Sequence, residues 1–210
     1  MRARAPVIVF EGIDGSGKTT VVRYIGRKLD REGGAVTTSE PYDRGVIREA
    51  SRIARSLPDS PADAIRRSAL LFAGDRVKHT VAMERFASSG KIVLCDRYYM
   101  STIAYQGAQL ALLGVDGYGW LRTINEPFVD FPSAVILLDS KPETAMKRIS
   151  RRGRRHEIFE TESLLGEARS LYAREFTRFR GLKLRVDADR SLDRVKEDVL
   201  SFIVDRLDVN

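Results

Sequence analysis

The chain has 210 residues, of which 43% are hydrophobic and 31% are charged, and its formal net charge is +7. This composition is typical of a globular domain with an apolar core. No apolar run approaches the roughly 20 residues of a membrane helix, so we expect no membrane partner. The one cysteine, Cys95, cannot form an internal disulfide. We expect no signal peptide, because the charged start of the chain runs directly into the first predicted strand. We therefore expect a protein of the reducing cytoplasm.

The positive charge is compatible with two kinds of partner, nucleic acid and small phosphate esters. Much of the excess lies in one short region, at Lys147, Arg148, Arg151, Arg152, Arg154 and Arg155. A local cluster suits a small polyphosphate better than a long duplex, so we expect no nucleic-acid partner. The plainer alternative is a solvated, charged helix end.

Taken in chain order, apolar strand patterns alternate with helical patterns, which predicts a parallel sheet flanked by helices. We expect one domain over residues 1–210, with ligands at the carboxyl edge of the strands. On the long third helix we expect Ile65, Ala69, Phe72, Val77 and Val81 near one face, and a bend or weak point at Gly74. The predicted strands are 7–10, 35–38, 92–95, 134–138 and 182–186. The predicted helices are 18–29, 45–57, 61–86, 101–113, 118–125, 142–151, 162–180 and 192–203.

The segment from Gly12 to Thr19 matches the spacing G-x-x-x-x-G-K-[ST] and lies between a predicted strand and a predicted helix. Its glycines let successive backbone N–H groups turn inward toward phosphate oxygens, and the start of the helix adds positive potential. Lys18 supplies a charge for the outer phosphates, and the Thr19 hydroxyl is suited to ligate Mg²⁺. We predict that ATP phosphates contact Gly12, Ile13, Asp14, Gly15, Ser16, Gly17, Lys18, Thr19 and Thr20.

Two acidic residues follow apolar strands, Asp96 and Asp139, and either could hold the magnesium ion through water. A strand-end aspartate can also simply cap a helix or turn, and spacing alone does not choose between them. We favour Asp96, because Arg97 follows it and a guanidinium beside the metal suits phosphoryl transfer.

The pattern favours a small nucleotide kinase. A signalling GTPase would need an Asn-Lys-x-Asp segment, which the sequence lacks. The arginine-rich segment at about residues 150–160 is expected to act as a flexible lid that excludes water and brings arginines to the transferred phosphate. A kinase for another base, and a P-loop protein that binds ATP or nucleic acid without this reaction, remain open alternatives.

Three blocks resemble thymidylate kinase: residues 10–20, residues 71–76 (Leu-Phe-Ala-Gly-Asp-Arg) and residues 96–107 (Asp-Arg-Tyr-Tyr-Met-Ser-Thr-Ile-Ala-Tyr-Gln-Gly). Phe159, Glu160 and Tyr172 fit the same family. The resemblance implies the single-domain P-loop nucleoside monophosphate kinase fold, with a five-stranded parallel sheet. It also implies transfer of the ATP γ-phosphate to dTMP, with Mg²⁺, by a homodimer.

The resemblance assigns roles residue by residue. Asp14 would bind the sugar 3′-hydroxyl, Phe72 would stack on thymine, and Arg76 would bond the carbonyl edge of the base. Tyr105 would sit against the sugar 2′ carbon and disfavour ribonucleotides, and Arg97 would hold the acceptor phosphate. The implied dTMP-binding set is Asp14, Glu40, Pro41, Phe72, Arg76, Arg97, Ser101, Thr102, Tyr105 and Gln106. The implied catalytic set is Lys18, Asp96, Arg97, Arg154 and Arg155.

Two positions depart from the family pattern. Gly15 stands where one branch carries an arginine, so the catalytic arginine is expected from the lid, at Arg152, Arg154 or Arg155. Ser39 stands where many relatives have an arginine in the second loop, and Tyr42 or Arg44 is expected to compensate.

Overall fold

The computed structural model describes residues 4–30, 34–151 and 161–207, and this part of the chain forms a parallel sheet of five strands in the order β2-β3-β1-β4-β5. The strands are β1 (Val7–Glu11), β2 (Ala35–Ser39), β3 (Ile92–Asp96), β4 (Ala134–Asp139) and β5 (Leu182–Asp187). All four pairings are parallel. The predicted fold class is confirmed.

Helices connect the strands, and their bounds lie within a few residues of the predicted ones. They are α1 (Lys18–Leu29), α2 (Gly45–Ser56), α3 (Pro61–Ser88), α4 (Tyr99–Leu112), α5 (Tyr118–Asn125), α6 (Pro142–Ser150), α7 (Glu162–Arg178) and α8 (Leu192–Leu207). A short 3-10 helix, Glu126–Phe128, follows α5. In the described residues no helix is both long enough and apolar enough to cross a membrane.

The central strands alternate side chains between two hydrophobic cores, because successive residues of a strand point to opposite faces. Val7 and Val9 of β1 belong to the core beneath α3 to α7. Ile8 and Phe10 belong to the core beneath α1 and α8. Burial on both faces explains why these strands have continuous apolar sequences rather than alternating ones.

The chain order around β1 creates the crevice where a ligand is expected. The chain moves from β1 to β2 on one side of the sheet and later returns to β4 on the other. In such sheets ligands bind outside the carboxyl ends of the strands where the order reverses. Glu11, Asp96 and Asp139 end three adjacent strands at this edge.

The prediction of an apolar buried face on α3 was wrong for the second half of the helix. Val77 and Val81 are 54% and 46% exposed, whereas Arg76 and His79 are buried at 1% and 0%. The helix continues through Gly74 to Ser88, so Gly74 does not interrupt it. The buried face of this segment is polar because a carboxylate from another element pairs with it, which helical periodicity cannot reveal.

Candidate active site

The phosphate loop is held tightly between its neighbours. Gly12 has φ of 140°, and a Cβ there would lie 2.4 Å from the carbonyl oxygen of Leu138 in β4. Gly15 has φ of 79°, and a Cβ there would lie 2.4 Å from the carbonyl oxygen of Ala145 in α6. Both positions therefore require glycine for conformation and for space. The loop is a cradle built on β4 and α6 rather than a free turn.

Lys18 is buried at the first position of α1 and closes this cradle. Its Nζ donates to the carbonyl oxygens of Gly12 and Ile13, at 2.7 and 2.8 Å. Burial, reinforced by Arg97 and partly offset by Asp14, lowers the pKa of Lys18 to about 8. An anion in the loop would favour the charged ammonium and draw it from the loop carbonyls.

The two predicted magnesium ligands lie together. The Thr19 hydroxyl donates to Asp96 Oδ2 at 2.6 Å. The other oxygen, Asp96 Oδ1, is buried and has no hydrogen-bond partner among the described residues. In contrast, Asp139 accepts hydrogen bonds from Arg169 and Arg185, each at 2.6 Å at its shortest. The geometry therefore leaves Asp96, and not Asp139, with an oxygen available to a cation.

The donor set at Asp96 fits magnesium. Mg²⁺ prefers oxygen ligands and is usually held by one or two carboxylates together with water and substrate phosphates. Within residues 4–30, 34–151 and 161–207 there is no group of three or more His, Cys, Asp or Glu side chains that could form a protein-only metal site. The Thr19 hydroxyl and the Asp96 carboxylate lie beside the phosphate cradle. They therefore match a magnesium site in which the protein supplies some of the ligands and a bound phosphate supplies others.

An ion pair joins the phosphate loop to the start of α4. Arg97 Nη2 donates to Asp14 Oδ1, and the Tyr105 hydroxyl donates to Asp14 Oδ2 at 2.7 Å. Burial alone would raise the pKa of Asp14, but Arg97 and Lys18 outweigh it and lower the pKa to about 2. Asp14 is therefore ionised at any physiological pH. Arg97 has φ of 74°, a conformation that costs about 1–3 kcal/mol in a residue other than glycine.

A buried carboxylate that sequence reasoning missed is linked to Arg97 through hydrogen bonds. Glu11 accepts hydrogen bonds from the Tyr98 backbone N–H at 2.9 Å and from the Ser101 hydroxyl at 2.7 Å. Ser101 in turn lies 2.7 Å from the Tyr172 hydroxyl, and Arg97 Nη1 donates to both, at 3.3 Å. Burial raises the pKa of Glu11 to about 7, partly offset by Ser101 and Arg97. Its one signal in the sequence was an acid at the end of an apolar strand.

A buried polar cluster is built around Arg76. Its guanidinium pairs with Glu40 Oε2 at 2.6 Å and donates to Thr102 Oγ1 at 2.8 Å and to Asn125 Oδ1. Asp75, the residue before it, instead accepts hydrogen bonds from the backbone N–H groups of Tyr42 and Asp43. Sequence reasoning did not identify Asn125.

Phe72 and Gln106 lie one helical turn from Arg76 and Thr102, respectively. Phe72 is half-buried and belongs to neither hydrophobic core, which leaves its ring available to a ligand. Gln106 is 9% exposed, and its side chain makes no hydrogen bond within the described residues. Ser101 and Thr102, neighbours in α4, face Arg97 and Arg76 respectively. The first turns of α4 therefore connect the two halves of the site.

Several expectations concern other regions. Tyr42 stacks on His79, with ring centroids 4.8 Å apart, and is 49% exposed, so its compensation for the missing arginine at Ser39 stays a prediction. Arg44 is exposed. The lid expectation at residues 150–160 falls largely outside the described residues, and so do Arg152, Arg154, Arg155, Phe159 and Glu160.

Comparison with known proteins decides the family. The thymidylate kinase family model matches residues 10–199. A probable thymidylate kinase of Sulfolobus acidocaldarius is 37% identical over 201 residues, covering 94% of this chain and 95% of that protein. The thymidylate kinase of Akkermansia muciniphila is 37% identical over 193 residues, covering 90% and 86%. This chain belongs to the thymidylate kinase family.

A solved structure of thymidylate kinase from Candida albicans matches the fold. The TM-score is 0.81, with 19% sequence identity and coverage of 100% of this chain and 96% of that one. At this identity the likeness concerns the fold alone. The expected resemblance to the thymidylate kinase family is confirmed.

Glu11 gives this family member a specific pH dependence. Its pKa is raised from 4.5 to about 7, so the folded state holds a proton that the unfolded state releases between these values. Stability from this group is complete below pH 4.5 and is lost as pH rises through 7, by about 3 kcal/mol. We expect Glu11→Gln to gain that amount relative to wild type between pH 5 and pH 8, measured by urea unfolding.

The exposed Glu197→Gln variant is the control and should follow wild type across this range, since its side chain is 66% exposed. A constant difference in free energy of unfolding between wild type and Glu11→Gln from pH 5 to pH 8 would contradict the assignment.

Proposed function

We propose that this chain transfers the γ-phosphate of ATP to dTMP, giving dTDP and ADP, with Mg²⁺. The observation that carries the proposal is the ion pair between Arg97 and Asp14, which connects a phosphate cradle to the cluster around Arg76. A kinase needs its donor and acceptor side by side, and these two sites share one arginine. The relatives named thymidylate kinase supply the identity of the reaction.

On the donor side, the loop N–H groups and Lys18 bind the ATP phosphates. Thr19 and Asp96 would hold the magnesium ion, which supplies positive charge to the phosphate oxygens when bound. Arg97 orients the acceptor phosphate, because its guanidinium lies between the loop and α4. We propose Arg154 and Arg155 of the lid as further cations for the transferred group.

On the acceptor side, Phe72 offers a ring face to the planar base, and Arg76, Thr102 and Gln106 offer polar groups to its edge. Asp14 retains acceptor capacity for the sugar 3′-hydroxyl, since each carboxylate oxygen has two lone pairs. Tyr105 lies against Asp14 and would crowd a 2′-hydroxyl. Glu40, with a side chain 7% exposed, contributes through Arg76, and Pro41 follows it in the same loop.

The first test is an ADP-release assay with wild type and a panel of monophosphates. We expect dTMP to be the preferred acceptor over AMP, GMP and dCMP. Lys18→Ala should lower kcat by about 100-fold or more, because positioned cations dominate stabilisation of the transferred phosphate. The exposed Lys28→Ala in the same helix is the matched control. Equal rates with all acceptors, or salt-sensitive DNA binding without phosphoryl transfer, would overturn the proposal.

The second test compares two aspartates at the same sheet edge. Asp96→Asn removes the carboxylate beside Thr19 and should lower kcat by about 100-fold or more, since it weakens the charge that holds the metal. Asp139→Asn breaks contacts with Arg169 and Arg185 and should lower the melting temperature while kcat stays within about threefold of wild type. The reverse pattern in kcat would assign the metal to Asp139.

We also propose that the enzyme is a homodimer acting in the cytoplasm. Leu70, Val77 and Val81 are 51%, 54% and 46% exposed, and their spacing of seven and four residues aligns them on one face of α3. Ile47 of α2 is 51% exposed. A second copy of this chain would cover this apolar face, and the buried Cys95 suits a reducing compartment.

Size-exclusion chromatography with light scattering tests the dimer. Wild type should have twice the 23.6 kDa of one chain, and Leu70→Glu combined with Val77→Glu should have the mass of a monomer, because a charge in an apolar interface is unpaired. Val204→Glu, 38% exposed on α8, is the control and should remain dimeric. A monomeric wild type, or a dimeric double variant, would refute this interface.

A further inference from the structure

Hydrogen bonds and neighbouring aromatic rings hold Arg76 in one position. The residue is 1% exposed, and its guanidinium carbon lies 5.4 and 5.6 Å from the ring centroids of Tyr98 and Phe128, which pack edge to face beside it. A buried guanidinium is tolerated only where its charge and its N–H groups are satisfied. Glu40 provides the compensating negative charge. The hydrogen-bond partners of Arg76 then determine which of its N–H groups remains available to a ligand.

An arginine has five N–H donors, and four of those of Arg76 are engaged. The Nε hydrogen goes to Glu40 Oε2 at 2.9 Å. The two Nη2 hydrogens go to Glu40 Oε2 at 2.6 Å and Thr102 Oγ1 at 2.8 Å. One Nη1 hydrogen goes to Asn125 Oδ1. The second Nη1 hydrogen has no acceptor among residues 4–30, 34–151 and 161–207.

Asn125 is itself fixed. It is fully buried at the end of α5, and its Nδ2 donates to the carbonyl oxygen of Leu121 at 2.8 Å. This bond determines the amide orientation, so that Oδ1 faces Arg76. The 3-10 helix that follows carries Phe128, so one short segment supplies both a ring and an acceptor to the guanidinium.

We infer that Asn125 is a specificity-determining positioning residue: by engaging one Nη1 hydrogen of Arg76, it leaves a single N–H that selects a carbonyl over an amino group on the acceptor base. The inference rests on the proposed function and deepens it. An N–H donor binds a carbonyl oxygen, whereas an amino group in the same place sets two donors against each other. Sites that hydrogen-bond one edge of a substrate reject mismatched analogues strongly, because buried polar groups are left unpaired.

Without Asn125, both Nη1 hydrogens lack a protein acceptor, although Glu40 and Thr102 still hold the guanidinium. A water molecule can then occupy the vacated place beside Nη1, and because water can also accept from an amino group, a base with an amino group is no longer left with an unpaired donor. The loss should appear as weaker binding of the carbonyl-bearing acceptor and as lower discrimination. Asn125 makes its side-chain hydrogen bonds with Arg76 and Leu121, and not with Arg97, Lys18 or Asp96, so binding of ATP should not change.

The experiment measures kcat and KM for dTMP, dUMP and dCMP with wild type and Asn125→Ala. dTMP and dUMP share the carbonyl, and dCMP has an amino group in its place. We expect Asn125→Ala to raise KM for dTMP about tenfold, the usual effect of a lost hydrogen bond to a charged group. The ratio of kcat/KM for dTMP over dCMP should fall about tenfold or more, with KM for ATP within about twofold of wild type.

Three further variants separate positioning from stability. Thr123→Ala, exposed on the same helix, should match wild type. Ile203→Ala, in the core under α8, should lower the melting temperature without changing the dTMP to dCMP ratio. Asn125→Asp keeps an oxygen facing Arg76 and should retain the ratio within about threefold. If Asn125→Ala does not fold, Asn125→Leu removes the acceptor with similar volume and gives the same comparison.

An active Asn125→Ala or Asn125→Leu enzyme that keeps the wild-type ratio of dTMP over dCMP would overturn this inference and leave the proposed function intact. A wild type that does not phosphorylate dTMP would overturn the proposed function itself, and the inference with it. The wild-type panel is therefore measured first.

Discussion

The ion pair between Arg97 and Asp14 is the interaction on which the rest of the site depends. Asp14 belongs to the phosphate loop, and Arg97 lies just after β3 with a left-handed backbone. That conformation is unfavourable by itself, so it persists because the side chain is held by Asp14, Ser101 and Tyr172. The pair connects the phosphate cradle with α4, and α4 contributes Thr102 to the cluster around Arg76. The proposed donor and acceptor sites would therefore share one charged connection.

The charges around this connection depend on one another. Glu11 and Lys18 are both buried, and burial favours the neutral form of each. It raises the pKa of Glu11 to about 7 and lowers the pKa of Lys18 to about 8. Asp14 remains ionised because two cations face it. Such groups tolerate burial only in combination, since an unpaired buried charge is far more costly than a paired one. Bound phosphates would add negative charge beside Lys18 and Arg97, so nucleotide binding and the protonation of this cluster are linked.

Sequence reasoning predicted the parts of the site that follow from local patterns. The loop spacing predicted Lys18 and Thr19. The ends of apolar strands predicted Asp96 and Asp139 as candidates, because parallel strands bring their carboxyl ends to one edge, and the adjacent Arg97 favoured Asp96. It did not find the buried polar contacts that depend on distant partners. Arg76 pairs with Glu40, 36 residues away, and Asn125 reaches it from another helix. Helical periodicity therefore misjudged α3, where it expected Val77 and Val81 inside and the structure buries Arg76 and His79.

The central claim is that one arginine joins a donor cradle to a pyrimidine pocket. A crystal structure of the full chain with dTMP, magnesium and a non-hydrolysable ATP analogue tests it most directly. The account predicts the dTMP phosphate within hydrogen-bond distance of Arg97, its base between Phe72 and Arg76, and the analogue's phosphates in the loop at Lys18. A dTMP molecule bound away from Arg97 and Arg76 would contradict the account, even if the analogue occupied the loop.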